Sequence, residues 1–210
     1  MTTEKRDFDA AAASWDEKPA RVQLAREVAE AIIGQVELTP AMKVMDFGCG
    51  TGLLSLRLHP LVGSITGVDS SAGMLEVFKA KIADGGLTNI KTQLLDPDKG
   101  EVLTGSYDLI VSSMTLHHIH EPKVLLRQLY GVLAPGGVLA IADLDPDGGR
   151  FHDDNTGVFH FGFERAALRA MFAETGFIDV RDSTATETVK PAPDGRKRAF
   201  SVFLISGRKR

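Results

Sequence analysis

Two carboxylates and three alternate glycines are the residues of this chain best suited to hold a ligand. They stand in Asp46-Phe47-Gly48-Cys49-Gly50-Thr51-Gly52 and in Gly67-Val68-Asp69. Glycines at alternate positions let the backbone turn sharply and let a ligand approach without meeting a Cβ. An acidic side chain such as Asp46 at the mouth of this loop repels a pyrophosphate and attracts an amino group. Asp69 can accept two hydrogen bonds from a ribose diol, as an acidic residue beyond the loop does in dinucleotide-binding folds. It could also cap a helix, a role that Ser70 or Ser71 could fill instead. The loop reads G-x-G-x-G. The third glycine of a dinucleotide fingerprint would fall on Leu53, and no Gly-Lys-Ser/Thr follows to make a P-loop. A tight strand-to-helix turn without a ligand is the plain alternative.

Further candidates lie later in the chain. Met114-Thr115-Leu116-His117-His118-Ile119-His120 holds three histidines. No acidic partner stands at a fixed spacing from them, so no metal site is assigned. His117 or His118 is expected near a bound small molecule, and His120, beside Glu121-Pro122, reads as a surface residue at a helix start. Residues 143–163 form a long connection carrying Asp143, Asp145, Asp147, His152, Asp153, Asp154 and His160, with Phe151, Phe159, Phe161 and Phe163. Connections of this length are usually functional or mobile. Three readings stand here: a substrate-facing wall that includes Asp143, the unspaced donors of a divalent-metal site, or a solvated acidic loop. No catalytic residue is assigned.

These residues need elements to position them. Residues 7–15 suit a short helix. Over 18–36, Val22, Ala25, Val28, Ala29, Ile32 and Ile33 recur on one helical face, with Pro19 in the first turn. Strands are predicted at 43–47, 64–68, 90–95, 107–112, 138–144, 177–182 and 199–206. Helices are predicted at 51–59, 71–83, 121–134 and 163–175. Lys190-Pro191-Ala192-Pro193-Asp194-Gly195 suits a hairpin turn. Strands alternating with helices imply an α/β fold, a doubly wound, mostly parallel sheet of seven strands. The last pair lacks an intervening helix, which implies one antiparallel strand. Ligands of such sheets bind at the carboxyl ends of the strands, where the strand order reverses.

Composition narrows the function classes. The chain has 210 residues, 43% hydrophobic and 25% charged, which suits one domain with a proper core. Residues 1–37 are read as a helical cap and 38–210 as the ligand-binding core. The net charge of −4 gives no electrostatic case for nucleic acid or an anionic membrane. Arg208-Lys209-Arg210 reads as a solvated end. Cys49 is the one cysteine, so neither an internal disulfide nor a cysteine-based metal site can form. The opening residues are polar, no signal-peptide core follows, and no stretch approaches the ~18 apolar residues of a membrane span. The reading is a cytoplasmic protein with no membrane insertion; its oligomeric state is left open.

The segments 44–52, Thr66-Gly67-Val68-Asp69-Ser70-Ser71-Ala72-Gly73-Met74, Tyr107-Asp108-Leu109-Ile110-Val111 and Leu133-Ala134-Pro135-Gly136-Gly137 together resemble the class I S-adenosylmethionine-dependent methyltransferases. The likeness is greatest to the small-molecule group that includes ubiquinone- and menaquinone-biosynthesis methyltransferases, and it covers about residues 20–180. It implies a Rossmann-like methyltransferase fold and S-adenosyl-L-methionine as cofactor, with S-adenosyl-L-homocysteine as product. Asp46, Gly48, Cys49, Gly50 and Gly52 would then hold the methionine end, with Asp46 on the amino group. Asp69 would hold the ribose hydroxyls, and Ser70 and Met74 would border the adenine. Asp96, aided by the Leu95 backbone, would accept from the adenine amino group, although Asp96-Pro97-Asp98 also suits a plain turn. Ser112 would lie near the methionine part. The expected activity is in-line methyl transfer to a small molecule. Two alternatives remain: a non-catalytic protein that keeps the cofactor as a sensor or scaffold, and a nicotinamide-dependent oxidoreductase, against which Leu53 speaks.

Overall fold

Seven strands form one sheet: β1 (Lys43–Phe47), β2 (Ser64–Asp69), β3 (Ile90–Leu94), β4 (Tyr107–Ser113), β5 (Leu133–Leu144), β6 (Ile178–Pro191) and β7 (Lys197–Arg208). The computed structural model describes residues 6–191 and 197–210. The strand order is β3-β2-β1-β4-β5-β7-β6. β1 pairs in parallel with β2 and β4, β2 with β3, and β4 with β5. β7 runs antiparallel to both β5 and β6 and so lies between two strands of one direction. The single antiparallel strand is the one expected. The two hairpin strands pair as far as Pro191↔Lys197, so Lys190 and Pro191 of the turn expected at 190–195 lie in β6 instead; its other residues, 192–195, lie outside the described residues.

Alternation along each strand divides the core. Val44, Leu109 and Val111 face one apolar layer, where Val28 and Ile32 of α2 (Pro19–Gln35) and Leu75 and Phe78 of α4 (Ala72–Asp84) pack. Met45 and Ile110 face the other, against Leu125, Leu126 and Leu129 of α5 (Pro122–Val132) and Leu168 and Phe172 of α6 (Arg165–Thr175). Opposite pointing of successive Cβ atoms makes this split, and strands buried on both faces read as apolar runs.

The structure departs from the sequence reading at several places. Ile33 is 43% exposed, because Ala25, Val28, Ala29 and Ile32 already fill the buried stripe of α2. The helix expected at 51–59 shrinks to α3 (Ser55–Leu58) and one 3₁₀ turn. Gly50 and Gly52 hold φ of +51° and +82°, which a right-handed helix cannot use. β5 starts at Leu133, ahead of the expected 138, because Leu133 pairs with Tyr107 across a register shift. The basic end is not simply solvated: the Lys209 ammonium donates to the carbonyls of Tyr130 and Leu133, both at 2.8 Å. Among the described residues no helix is long and apolar enough to cross a membrane.

Candidate functional site

β1 and β2 end side by side, with Phe47 in register with Val68, and β4 lies on the other side of β1. This is where the strand order reverses, the usual place for a ligand crevice. The loop after β1 is pinned to β2 by two bonds, from the Gly48 and Cys49 N–H groups to the Val68 carbonyl at 2.8 and 3.1 Å. Asp69 then accepts the Gly50 N–H at 2.7 Å on one oxygen and the Ser71 N–H at 2.9 Å on the other. Each oxygen keeps a second lone pair for an incoming donor. Ser71 caps α4 by accepting the Met74 N–H at 3.1 Å, so the helix needs no cap from Asp69.

The three glycines do different work. A Cβ on Gly48 would stand 2.2 Å from the Thr115 hydroxyl oxygen, and one on Gly52 would stand 2.2 Å from the Phe78 ring. Those two glycines serve packing, and Gly52 does not border the cavity. A Cβ on Gly50 would meet nothing closer than the Met74 sulfur at 3.9 Å. Gly50 borders open space, which marks it as the glycine whose bare backbone a ligand can approach.

The electrostatics at this end favour a cation. Asp46 is fully buried and accepts the Ser55 hydroxyl at 2.6 Å. Burial raises its pKa to about 7; the Ser55 bond opposes this and the Asp69 charge adds to it. Asp69 is raised in the same direction by burial, against the pull of the Ser71, Gly50 and Ser70 N–H groups. Among the described residues neither carboxylate forms a salt bridge with a side chain. An ammonium group bound near Asp46 would offset the cost of burying its charge.

A cavity of about 460 Å³ opens from this loop and is lined by Asp46, Gly48, Cys49, Gly50, Asp69, Ser70, Met74, Leu95 and Asp96 among others. Its size is in the usual range for a small-molecule site. Met74 supplies a buried apolar wall. Leu95 contributes its side chain, but its N–H is spent on the Asp69 carbonyl at 3.0 Å and so is not offered to the cavity. Asp96 borders the cavity and also accepts the Asp98 N–H at 3.1 Å, the turn role read beside the binding one. Ser112 is buried and donates to the Phe47 carbonyl at 2.8 Å; the cavity is bordered instead by Ser113, Met114 and Thr115. Burial, then Asp46 and Asp69, raise the pKa of the Cys49 thiol well above the ordinary value and so disfavour its thiolate.

At the other end His117, His118 and His152 meet. The His117 Nδ1 lies 2.7 Å from Asp143, which is fully buried at the end of β5. Burial works against the Asp143 charge, but His117 and the Leu144 and His117 N–H groups outweigh it and lower the pKa. The Nε2 atoms of His117 and His152 are 3.1 Å apart, and His118 Nδ1 is 2.7 Å from the Gly157 carbonyl. Burial, then the neighbouring His117, pushes both His118 and His152 down to about 3, so both rings are neutral near pH 7. Asp143 itself does not border the cavity; it acts behind His117. His120 is exposed, as its position ahead of α5 implied.

Two further acids of the long loop have partners. Asp147 accepts the Gly149 and Phe151 N–H groups at 3.1 and 2.6 Å, and Asp145 pairs with Arg165. Phe8 and Trp15 of the N-terminal segment border the cavity, and Phe8 meets His118 edge-on at 5.1 Å between centroids.

Several contributors escaped the sequence reading. Asp9 accepts from the Ser71 hydroxyl at 2.5 Å and the Gly73 N–H at 2.8 Å. Asp16 accepts the Thr51 hydroxyl at 2.6 Å and pairs with Lys81, whose ammonium also reaches the Thr51 carbonyl at 2.8 Å. These bonds tie the N-terminal segment to the glycine loop and to α4. No local pattern announces them, since the partners are distant in the chain.

Comparison with known proteins follows the same lines. Residues 44–137 match the family model described as methyltransferase domain. An uncharacterised methyltransferase of Schizosaccharomyces pombe is 32% identical over 135 residues, which is 58% of this chain and 48% of that protein. The ubiquinone biosynthesis O-methyltransferase of Pseudomonas aeruginosa is 26% identical over 103 residues, 49% of this chain and 44% of that protein. The matches thus span about half the length of these curated relatives. A chain from the complex of the Haloferax volcanii Trm112 methyltransferase activator with a methyltransferase superposes with a TM-score of 0.77 at 18% identity, covering 99% of both chains. Phosphoethanolamine N-methyltransferase 2 of Haemonchus contortus, in complex with S-adenosyl-L-methionine, gives 0.70 at 18% identity, covering 86% of this chain and 52% of that one. The sheet is that of the Rossmann-like methyltransferases. Residues 44–137 are thus similar to the methyltransferase-domain family.

Proposed function

We propose that this chain binds S-adenosyl-L-methionine in the cavity at Asp46, Gly50 and Asp69 and transfers its methyl group to a small molecule. One observation supports the reading: a buried carboxylate, Asp46, and a half-buried one, Asp69, neither in a side-chain salt bridge among the described residues, flank a glycine backbone at the reversal point of the sheet. An amino group suits Asp46, and a ribose diol suits the spare lone pairs of Asp69. Met74 and Leu95 offer an apolar surface to a flat base. A sulfonium is a good leaving group that needs no acid, so the protein contributes position and exclusion of water. Phe8 and Trp15 support the exclusion by roofing the cavity. The His117 end suits the acceptor, and the net charge of −4 favours a small molecule over a nucleic acid.

Turnover tests it. Incubated with methyl-labelled S-adenosyl-L-methionine and a metabolite extract, the protein should produce S-adenosyl-L-homocysteine and transfer label to a small product. Asp46→Ala should lose both. Cofactor binding with no turnover on any fraction would favour the sensor or scaffold reading.

A further inference from the structure

We propose that His117, His118 and His152 bind one divalent transition-metal ion of the zinc class at the acceptor end of the cavity. The spacing of the sequence gathered no such set, because His152 comes from the long loop after β5 and the other two from the 3₁₀ turn Leu116–His118. The fold brings one ring nitrogen of each within 4.8 Å of the others.

The hydrogen bonds behind the rings aim the donors. Asp143 offers only lone pairs, so His117 keeps its Nδ1–H toward Asp143 and directs Nε2 to the cluster, where a metal ion would take the Nε2 lone pair. Gly157 offers a carbonyl, which fixes His118 in the same tautomer. A carboxylate behind one imidazole and a backbone carbonyl behind another are the partners that metal-binding histidines use. The Nε2 atoms of His117 and His152 stand 3.1 Å apart. Two donors on one tetrahedral zinc ion stand ~3.4 Å apart at Zn–N distances of about 2.0–2.1 Å, so small ring rotations complete the set. The Arg6 guanidinium, 3.4 Å from His152 Nδ1, already reaches the Asp154 carbonyl at the same distance and can turn to it when that nitrogen holds the proton.

Of the loop acids, Asp145 is engaged by Arg165, Asp147 by backbone N–H groups and Asp154 by Thr156, while Asp153 also borders the cavity. Three imidazoles leave a fourth position for water or for an acceptor. An acceptor hydroxyl bound there ionises more readily. That consequence rests on the methyl-transfer reading; binding of the ion does not.

The experiment uses the full chain without a polyhistidine tag. It is stripped with a chelator and titrated with Co²⁺, followed by visible absorption and competition with Zn²⁺. One saturable equivalent with intense tetrahedral bands, displaced by Zn²⁺, is expected. His118→Ala and His152→Ala should each weaken it by at least about tenfold. Circular dichroism and thermal unfolding check the fold; if His118→Ala does not fold, His152→Ala, on a loop, carries the test. Absence of saturable binding by the folded native chain overturns the proposal, as does binding unchanged in His152→Ala. In the same preparation, calorimetric titration with S-adenosyl-L-homocysteine reports on the cofactor reading separately.

Discussion

Burial raises the pKa of the Asp46 carboxyl to about 7, well above the ordinary carboxylate range. An ammonium placed beside it favours the charged form and drives the proton off. At about pH 6, S-adenosyl-L-homocysteine binding should therefore release a large fraction of one proton. Calorimetry in buffers of different ionisation enthalpy measures this, and Asp46→Asn should abolish the release. The sign for stability follows from the same shift. An unfolded aspartate ionises near pH 4, so the folded state holds the extra proton between about pH 4 and about pH 7. This residue's contribution to stability falls as pH rises through that window.

The placement of Asp46 and Asp69 on the cavity was legible in the sequence because it depends on strand ends and a short loop, which are local. Ser112 was placed near the cofactor by resemblance alone, and its hydroxyl instead bonds the Phe47 carbonyl. The partnership of His152 with His117 was not legible, since it depends on how a long loop without periodicity returns to the sheet.

At the scale of elements, the alternation of strand and helix and the antiparallel β7 could be read from periodicity and from the missing last helix. The short α3 could not be read from apolar spacing, because the positive φ of Gly50 and Gly52 delays it. This division of labour predicts opposite outcomes at two glycines. Gly52→Ala would carry strain at a positive φ and a clash with the Phe78 ring, costing on the order of 2–4 kcal/mol of stability. Gly50→Ala meets open space, so about 1 kcal/mol of backbone strain is expected. Its larger effect should be on cofactor affinity. Denaturant unfolding and calorimetry on both variants separate the two, and equal losses of stability would contradict the assignment.

At the scale of the whole molecule, the N-terminal segment was expected as a cap; its helix α2 was legible from spacing, and the short helix expected at 7–15 is α1 (Phe8–Ala11) followed by a 3₁₀ turn. Its attachment was not, because Asp9 and Asp16 act on residues far along the chain. Asp16 and Thr51 should be energetically coupled by about 0.5–1.5 kcal/mol in a double-mutant cycle of Asp16→Ala and Thr51→Val, read by denaturant unfolding. Additive effects would mean that the segment rests on the loop without bracing it.

All three scales converge on the cavity between that cap and the sheet. Calorimetric titration of the folded chain with S-adenosyl-L-homocysteine tests the central claim most directly. One site of micromolar affinity is predicted, weakened by about 1–3 kcal/mol in Asp69→Ala through the loss of charge-assisted hydrogen bonds. No binding to the folded native chain, or the same affinity in Asp69→Ala, would contradict it.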